Sequence, residues 1–476
     1  MTLDPDNWDE LRAQGHRMLD GMFDYLKHLR SAPVWTKMPP EVRDRFKQDA
    51  LPQAPQALDA VYQEFAEYVL PYAGGNLHPA FMGWVQGGGT GAGMLAEMLA
   101  GGLNANLGGR DHAPIAVERQ VAGWMRRLFG FPDAATGIFV TGTSQANLIA
   151  VLTARAEALG LQSRTSGIGN AKLCAYASAA AHSCIARAVD FAGLGSAALR
   201  LIPCDENQRM DVAALKKTIA ADKRTGCTPF MVIGTAGTVD VGAVDDLRDI
   251  GALCAEEKLW FHIDGAYGAL GMLAPEIAPR LAGIETADSI ALDFHKWGQV
   301  PYDAGFVLVR DGAKHKAAFA TPAAYLRRET RGLAGGDFWP TDYGTDLSRG
   351  FRALKTWVTL KTYGAEQLGR MIWRTCELAQ YLEKKVRATE ALELLAPASL
   401  SIVCFRYKAA NADDVNTEIV SDLHEQGIAA PSMTTVAGKH DVPCRAIRCA
   451  IFNHRTGERD IDALLEAVLR LGKARA

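Results

Sequence analysis

The sequence predicts an α/β protein with a mainly parallel sheet of seven strands and a smaller α+β unit after it. From residue 138, short apolar runs alternate with amphipathic helical segments, a pattern typical of strands joined by crossover helices. After residue 349 a long helical stretch leads to two more strand-like runs and a last helix. The predicted domains are an N-terminal helical arm at 1–78, a large α/β domain at 79–365 and a small C-terminal domain at 366–476.

The individual elements follow from local patterns. Apolar residues share one helical face over 8–30, a proline-rich stretch covers 32–55, and a second helical pattern covers 57–69. The strand-like runs are 138–140, 173–177, 199–203, 230–234, 259–263, 289–292 and 305–309, and the helices between them include 144–159, 184–191, 212–221 and 245–258. The long helix is expected at 351–389, the late strands at 401–405 and 445–451, and the last helix at 460–471.

The apolar face of the first helix needs a cover. It either clasps a second subunit or packs on its own domain, and the pattern alone leaves both possibilities open.

Composition and charge favour small-molecule chemistry. Lys plus Arg number 51 against 54 for Asp plus Glu, so the formal charge of -3 favours neither nucleic acid nor an acidic membrane as a partner. The nine cysteines include no CxxC pair, which predicts no disulfide framework, no metal site and a cytoplasmic location. Residues 1–15 do not resemble a secretory signal, and the Gly-rich stretch 83–107 is too polar for a membrane span.

Informative residues follow three of the predicted strands, at the edge where ligands bind in such sheets. Thr141 to Ser144 opens a helix and suits a phosphate group, although an ordinary helix cap has the same pattern. Asp264 could pair with a protonated ring nitrogen, or instead cap a helix or pair with an arginine. Lys296 lies in an aromatic setting where burial would lower its pKa and favour imine formation, although a lone lysine is more often a surface residue. Their coincidence at successive strand ends favours the chemical interpretation.

Specific motifs add a family resemblance over nearly the whole chain. The sequence resembles the group II pyridoxal-phosphate decarboxylases, and most closely the aromatic L-amino-acid decarboxylases. The resemblance implies pyridoxal 5′-phosphate (PLP) as cofactor, fold type I, and an obligate homodimer with active sites at the interface and an intertwined N-terminal arm. The matching segments are HP at 78–79, MLAEML at 94–99, AHS at 181–183, GT at 237–238, HIDGAY at 262–267, HKW at 295–297, FRALKTW at 351–357 and RCA at 448–450.

The same resemblance assigns roles to individual residues. Lys296 resembles the Schiff-base lysine, Asp264 the partner of the pyridine nitrogen, and His182 the imidazole that stacks on the cofactor ring. The other cofactor contacts it implies are Thr143, Ser144 and His295 at the phosphate, and Thr235 and Ala266 along the ring.

A polar, Gly-rich segment at 321–336 is predicted to form a mobile lid. Tyr325 within it resembles the family's lid tyrosine, which returns a proton after carbon dioxide leaves; as a lone loop tyrosine it would be a packing residue. Relatives with phenylalanine at this position form an aldehyde, so Tyr325 favours simple decarboxylation.

The substrate is predicted with less support from the motifs. Glycines near Trp84 are expected to enlarge a pocket for an aromatic ring, whereas Arg110 could attract an acidic side chain or simply pair with Asp111 or Glu118. An aromatic L-amino acid is the leading substrate; acidic amino acids, aldehyde-forming oxidation and a non-catalytic cofactor-binding protein remain alternatives. Asp293 and Phe294 depart from the commoner Asn-Pro before HKW and receive no role. The predicted pocket residues are Trp84, Val85, Gly87, Asn106, Gly108 and Arg110.

Overall fold

The computed structural model describes residues 2–321, 329–437 and 443–475. Its strands are β1 (Phe81–Met82), β2 (Thr136–Val140), β3 (Leu173–Ser178), β4 (Leu199–Ile202), β5 (Thr228–Thr235), β6 (Trp260–Asp264), β7 (Ser289–Asp293), β8 (Gly305–Val309), β9 (Leu392–Ser399), β10 (Ile402–Tyr407), β11 (Ala430–Ala437) and β12 (Pro443–Ala450). Its α-helices are α1 (Trp8–His28), α2 (Pro40–Gln48), α3 (Leu58–Tyr68), α4 (Gly91–Leu103), α5 (Ala113–Leu128), α6 (Thr143–Leu159), α7 (Ser163–Ser166), α8 (Cys184–Val189), α9 (Val212–Arg224), α10 (Leu247–Glu257), α11 (Gly312–Phe319), α12 (Arg352–Ala388), α13 (Ala412–Glu425) and α14 (Glu458–Lys473).

All seven predicted runs form strands of one sheet, in the order β2-β8-β7-β6-β5-β3-β4. Strands β4, β3, β5, β6 and β7 pair in parallel, and β8 is antiparallel to both β7 and β2. The predicted fold class is therefore confirmed. Because β2 runs in the same direction as β7, the residues that follow β2, β5, β6 and β7 all emerge at one edge.

Burial explains why these runs become strands rather than surface segments. Every residue of β3, β6, β7 and β8 is buried, as expected for a sheet that is covered on both faces. Each fully buried Val, Leu, Ile or Phe side chain contributes about 1.5–3 kcal/mol from removal of apolar surface from water. The reversed strand β8 also enters beside the turn before α6, where a Cβ on Gly305 would lie 2.3 Å from the Cα of Gly142. Only glycine fits that approach.

The small C-terminal unit contains more strands than the sequence indicates. Its sheet has the order β1-β11-β12-β10-β9, of which β10 and β12 were predicted. Strand β9 contains a proline and is mostly half-buried, and β11 carries adjacent polar residues, so neither has a continuous or alternating apolar pattern. Strand β1 has two residues and pairs Phe81 with Ala430. It adds a segment to this sheet that the predicted division places in the large domain.

Helix α12 connects the two units. It covers the predicted helical stretch, and Gly364 with φ 72° and ψ 156° interrupts its helical dihedral angles. The predicted boundary between residues 365 and 366 falls beside this break, and the three-domain division itself stays a prediction.

The N-terminal helices bury little of their apolar surface within the chain. Helix α1 is capped by Asn7, whose side chain accepts the N–H groups of Asp9 and Glu10, and its one buried residue is Gln14. The large exposed apolar side chains of these helices are Trp8, Leu11 and Phe23 on α1, Phe46 on α2, and Leu58, Val61 and Phe65 on α3. Separately, no helix within the described ranges is long and apolar enough to cross a membrane.

A buried ion pair ties α5 and β2 to the segment before α12. Arg349 lies 2.5 Å from Glu118, and these two side chains are 2% and 1% exposed. Glu118 also accepts the N–H of Phe139, and Arg349 donates to the carbonyl oxygens of Phe139 and Leu107.

We expect Arg349→Met to destabilise the protein by about 3–5 kcal/mol, because it leaves a buried carboxylate without a cation. Urea unfolding followed by circular dichroism measures this loss. The control is Arg119→Met on α5, next to Glu118. The ion pair of Arg119 with Asp337 is exposed and contributes about 0–1 kcal/mol. Equal effects of the two substitutions would contradict the assignment.

Candidate active site

The ends of β6 and β7 place three charged side chains together. Asp264 ends β6, Asp293 ends β7, and Lys296 follows in the next turn with its Nζ 2.8 Å from Oδ2 of Asp293. The carbonyl oxygen of Lys296 accepts from the backbone N–H of Gln299 at 3.1 Å and from its side-chain amide at 3.2 Å. The amide of Gln299 also donates to the carbonyl of Phe452, so the lysine turn is held against the C-terminal unit.

The charge balance around Lys296 differs from the prediction. Burial acts to lower the pKa of Lys296, but the carboxylates of Asp293 and Asp264 outweigh burial, and the pKa is raised. The expectation of a lowered pKa was wrong because it counted burial and omitted Asp293. Lys296 is therefore an ammonium ion held by a buried carboxylate.

Asp264 belongs to a buried hydrogen-bond chain that the sequence did not reveal. Its Oδ2 accepts from Asn147 at 3.3 Å, and the other end of that amide contacts Nε2 of His262 at 2.8 Å. His262 also contacts the hydroxyl of Ser289, which accepts the indole N–H of Trp260. Burial lowers the pKa of His262 to about 3, so this imidazole is neutral at neutral pH. Asn147 lies one helical turn after Thr143, and that spacing is the one signal that could have indicated it.

The environment of Asp264 suits a carboxylate that faces a cation. Burial raises the pKa of Asp264, and the nearby Lys296 and His182 act in the opposite direction. Its Oδ1 accepts the N–H of Ala266 at 3.1 Å, and the carbonyl of Ala266 accepts the N–H of Asp293 at 3.0 Å. Ala266 thus links the two strand ends, and a positively charged ring atom would satisfy this acid.

The predicted phosphate turn lies at the same edge, and Asp293 is bound to it. The N–H and the hydroxyl of Thr143 each donate to Asp293 at 2.8 Å, whereas Ser144 is exposed. His295 accepts the N–H of Ala304 at Nδ1, which leaves Nε2 as its N–H donor. Burial lowers the pKa of His295 and outweighs the neighbouring Asp293. His295 is therefore a neutral donor at this end of the site, while the Thr143 donors are engaged by Asp293.

Two further predicted residues lie beside these groups. His182 is exposed, and its Nδ1 accepts the N–H of Cys184, whose Sγ is 4.0 Å from Oδ2 of Asp264. Thr235 is buried, its N–H donates to Asp245 at 2.8 Å, and among the described residues its hydroxyl has no hydrogen-bond partner. This buried hydroxyl is therefore available to a bound molecule.

Tyr325 and the other residues of 322–328 in the predicted lid lie outside the described residues. The described part of the lid is a turn in which Glu329 donates its N–H to the carbonyl of Ala334.

The first group of predicted pocket residues packs on the lysine turn. The N–H of Gly87 donates to the carbonyl of His295 at 3.0 Å, and a Cβ on Gly87 would lie 2.4 Å from the carbonyl oxygen of Lys296. This glycine permits close backbone packing, so the argument that it enlarges a pocket was wrong. Trp84 is exposed, and Val85 packs against the main core.

The second group contacts the segment before α12 instead. Asn106 accepts the N–H groups of Gly108 and Arg349, and a Cβ on Gly108 would lie 2.2 Å from the carbonyl oxygen of Leu347. The guanidinium of Arg110 lies over the ring of Trp339, 4.8 Å from its centroid. The alternative pairing of Arg110 with Glu118 was wrong, because Glu118 pairs with Arg349.

The assembled site has the donors that PLP needs. Lys296 can hold the cofactor covalently, the buried Asp264 could pair with a ring nitrogen, and the Thr143 turn and His295 carry N–H and O–H groups that could bind a phosphate. Fold and site together define a PLP enzyme of the α/β class.

Comparison with known proteins identifies the family. Residues 40–408 match the pyridoxal-dependent decarboxylase conserved domain. An aromatic-L-amino-acid decarboxylase from Bacillus atrophaeus is 32% identical over 98% of this chain and 96% of that protein. A phenylacetaldehyde synthase from Arabidopsis thaliana is 28% identical over 97% and 95%. The crystal structure of Oryza sativa TDC with PLP and tryptamine matches with a TM-score of 0.91 at 26% identity, covering 100% of each chain. This chain belongs to the PLP-dependent decarboxylase family and is a PLP-dependent carboxy-lyase.

Substitution of two threonines at the site should have different effects on the stability of the cofactor-free protein. Thr235→Val should leave its stability unchanged or raise it by about 1 kcal/mol, since the buried hydroxyl has no partner, yet weaken PLP binding about tenfold. Thr143→Val removes a hydroxyl that donates to Asp293 and should cost about 1–3 kcal/mol. Thermal unfolding and PLP titration measure both. A destabilised Thr235→Val protein would show that its hydroxyl has a partner in the absence of PLP.

Proposed function

We propose that this protein decarboxylates an aromatic L-amino acid, of the tryptophan, dihydroxyphenylalanine or tyrosine type, to the amine and carbon dioxide. The observation that carries the proposal is the placement of Lys296 and Asp264 at adjacent strand ends beside the Thr143 turn. The aromatic substrate is supported by the names of the Bacillus relative and of the structural neighbour that binds tryptamine.

Each residue has a separate task in this proposal. When bound, PLP supplies a conjugated ring that accepts the electron pair left by the departing carboxylate. Lys296 holds the cofactor covalently, and Asp264 keeps the ring nitrogen protonated from a buried position. His182 packs on the ring face, and Tyr325 donates the proton to the substrate carbon. Thr143, Ser144 and His295 bind the phosphate, while Thr235 and Ala266 line the ring.

Product analysis tests the reaction. The PLP-loaded protein is incubated with tryptophan, dihydroxyphenylalanine, tyrosine, phenylalanine, histidine, glutamate, aspartate and cysteine sulfinate, and amine, aldehyde and peroxide are measured. We expect amine from an aromatic member and at least about a 10³-fold loss in Lys296→Ala. Lys314→Ala, a surface lysine on α11 paired with Glu157, is the matched control and should retain activity.

The other outcomes each exclude part of the proposal. Amine from acidic members alone would contradict the aromatic substrate. Aldehyde with peroxide would contradict the role of Tyr325 and favour the reaction type that the name of the Arabidopsis relative indicates. No product, together with unchanged PLP absorbance, would favour a non-catalytic protein.

We also propose that the protein acts as a homodimer with active sites at the subunit interface. The support is the exposed apolar surface of α1 and α3, together with Met98, Leu99 and Leu103 on α4, which are 53–61% exposed. Exposed apolar side chains in such numbers are typical of a protein interface. A second copy of the chain fits the family resemblance and would cover them.

We expect the double substitution Leu11→Glu with Phe23→Glu to convert the dimer to monomer, because two charges would be buried in an apolar interface. Sedimentation velocity measures the change. Asp20→Lys, an exposed position on the same helix, is the control and should remain dimeric. A double variant that sediments as the wild type would rule out this face.

The proposed location is the cytoplasm. All nine cysteines are free thiols, which fits a reducing compartment.

A further inference from the structure

Asp293 occupies a place in the site that no role yet explains. It is 2% exposed, and its two oxygens accept the N–H and the hydroxyl of Thr143 at 2.8 Å each. Oδ2 also lies 2.8 Å from Nζ of Lys296 and 3.6 Å from Nε2 of His295. One carboxylate therefore contacts two of the proposed phosphate ligands and the proposed cofactor lysine.

These contacts create a conflict with a phosphate group. The donors of Thr143 that would bind a phosphate dianion are already engaged by an anion. Bringing the dianion beside a buried carboxylate is unfavourable, because like charges repel strongly where water is excluded. A neutral side chain at this position would have no such conflict.

The groups around Asp293 offer little compensation. Lys296 is the cation beside it, and Asp264 is a second carboxylate nearby, whose pKa is raised by burial. Burial raises the pKa of Cys184 to about 12 and also raises that of Tyr302, so both stay protonated at neutral pH. His295 is neutral, since burial lowers its pKa.

We propose that Asp293 lowers the affinity for the cofactor: its carboxylate competes with the phosphate for the two Thr143 donors and places a like charge beside it. This inference rests on the proposed function, since it assumes that the PLP phosphate binds at Thr143. An uncharged side chain of similar size at position 293 removes this repulsion.

Calorimetry with pyridoxine 5′-phosphate tests the proposal without any reaction at Lys296, because this ligand has no aldehyde. Wild type and Asp293→Asn are titrated with this ligand, and their dissociation constants are compared. We expect the variant to bind about tenfold more tightly, because it lacks the carboxylate that repels the phosphate. Pyridoxine, which lacks the phosphate, should bind both proteins alike.

Asp303→Asn is the matched control. Asp303 lies in the turn before β8, is half-exposed and pairs with Arg352, so this substitution removes the same charge outside the buried site. It should bind pyridoxine 5′-phosphate with the affinity of wild type. If it shifts affinity as much as Asp293→Asn does, a general charge effect replaces the specific role of Asp293.

Equal affinity of wild type and Asp293→Asn for pyridoxine 5′-phosphate would overturn the proposal. Should Asp293→Asn fail to fold, Asp293→Ser removes the same charge and carries the same expectation. Absorbance of wild type with PLP separates this from failure of the proposed function. If the lysine-linked cofactor band forms but the variants bind alike, only the inference about Asp293 falls; if neither ligand binds wild type, both fall.

Discussion

The site depends on β6 and β7 running side by side in the same direction. Asp264 pairs in register with Ala291, and the N–H of Asp293 donates to the carbonyl of Ala266 just beyond the end of β6. This pairing fixes the positions of Asp264 and Asp293 relative to each other along the strand direction. The reversed strand β8 returns immediately beside them and presses on the turn at Gly142. The acids, the lysine and the phosphate turn are thereby held at one sheet edge.

The charge states of the side chains at this edge follow from their burial away from water. Two buried carboxylates face one ammonium, while His262 and His295 stay neutral because burial lowers their pKa values. The hydrogen-bond chain from Asp264 through Asn147 orients the acid from behind. Such a fully bonded network is rigid, since each broken contact would leave a buried polar group unsatisfied. The network thus fixes the orientation of the Asp264 carboxylate in the cofactor-free protein.

Much of the fold could be predicted because its signals are local. Seven continuous apolar runs and the helices between them reflect burial on both faces of a sheet, and each became a strand. Strands β9 and β11 escaped detection because their partners, rather than their own patterns, make them strands. Strand β1 is two residues long and is defined by pairing with a segment about 350 residues away, as Phe81 with Ala430 shows.

Short segments of the sequence encode the order of the strands along the chain, the positions of Asp264, Lys296 and the Thr143 turn at strand ends, and the family resemblance. Three further properties arise only in the folded chain: Asp293 faces Thr143 and Lys296, the pKa of Lys296 is raised, and Gly87 packs on the lysine turn. These properties depend on distances of a few ångströms between atoms remote in the chain. Coulomb and contact energies vary steeply over such distances, and no local pattern contains them.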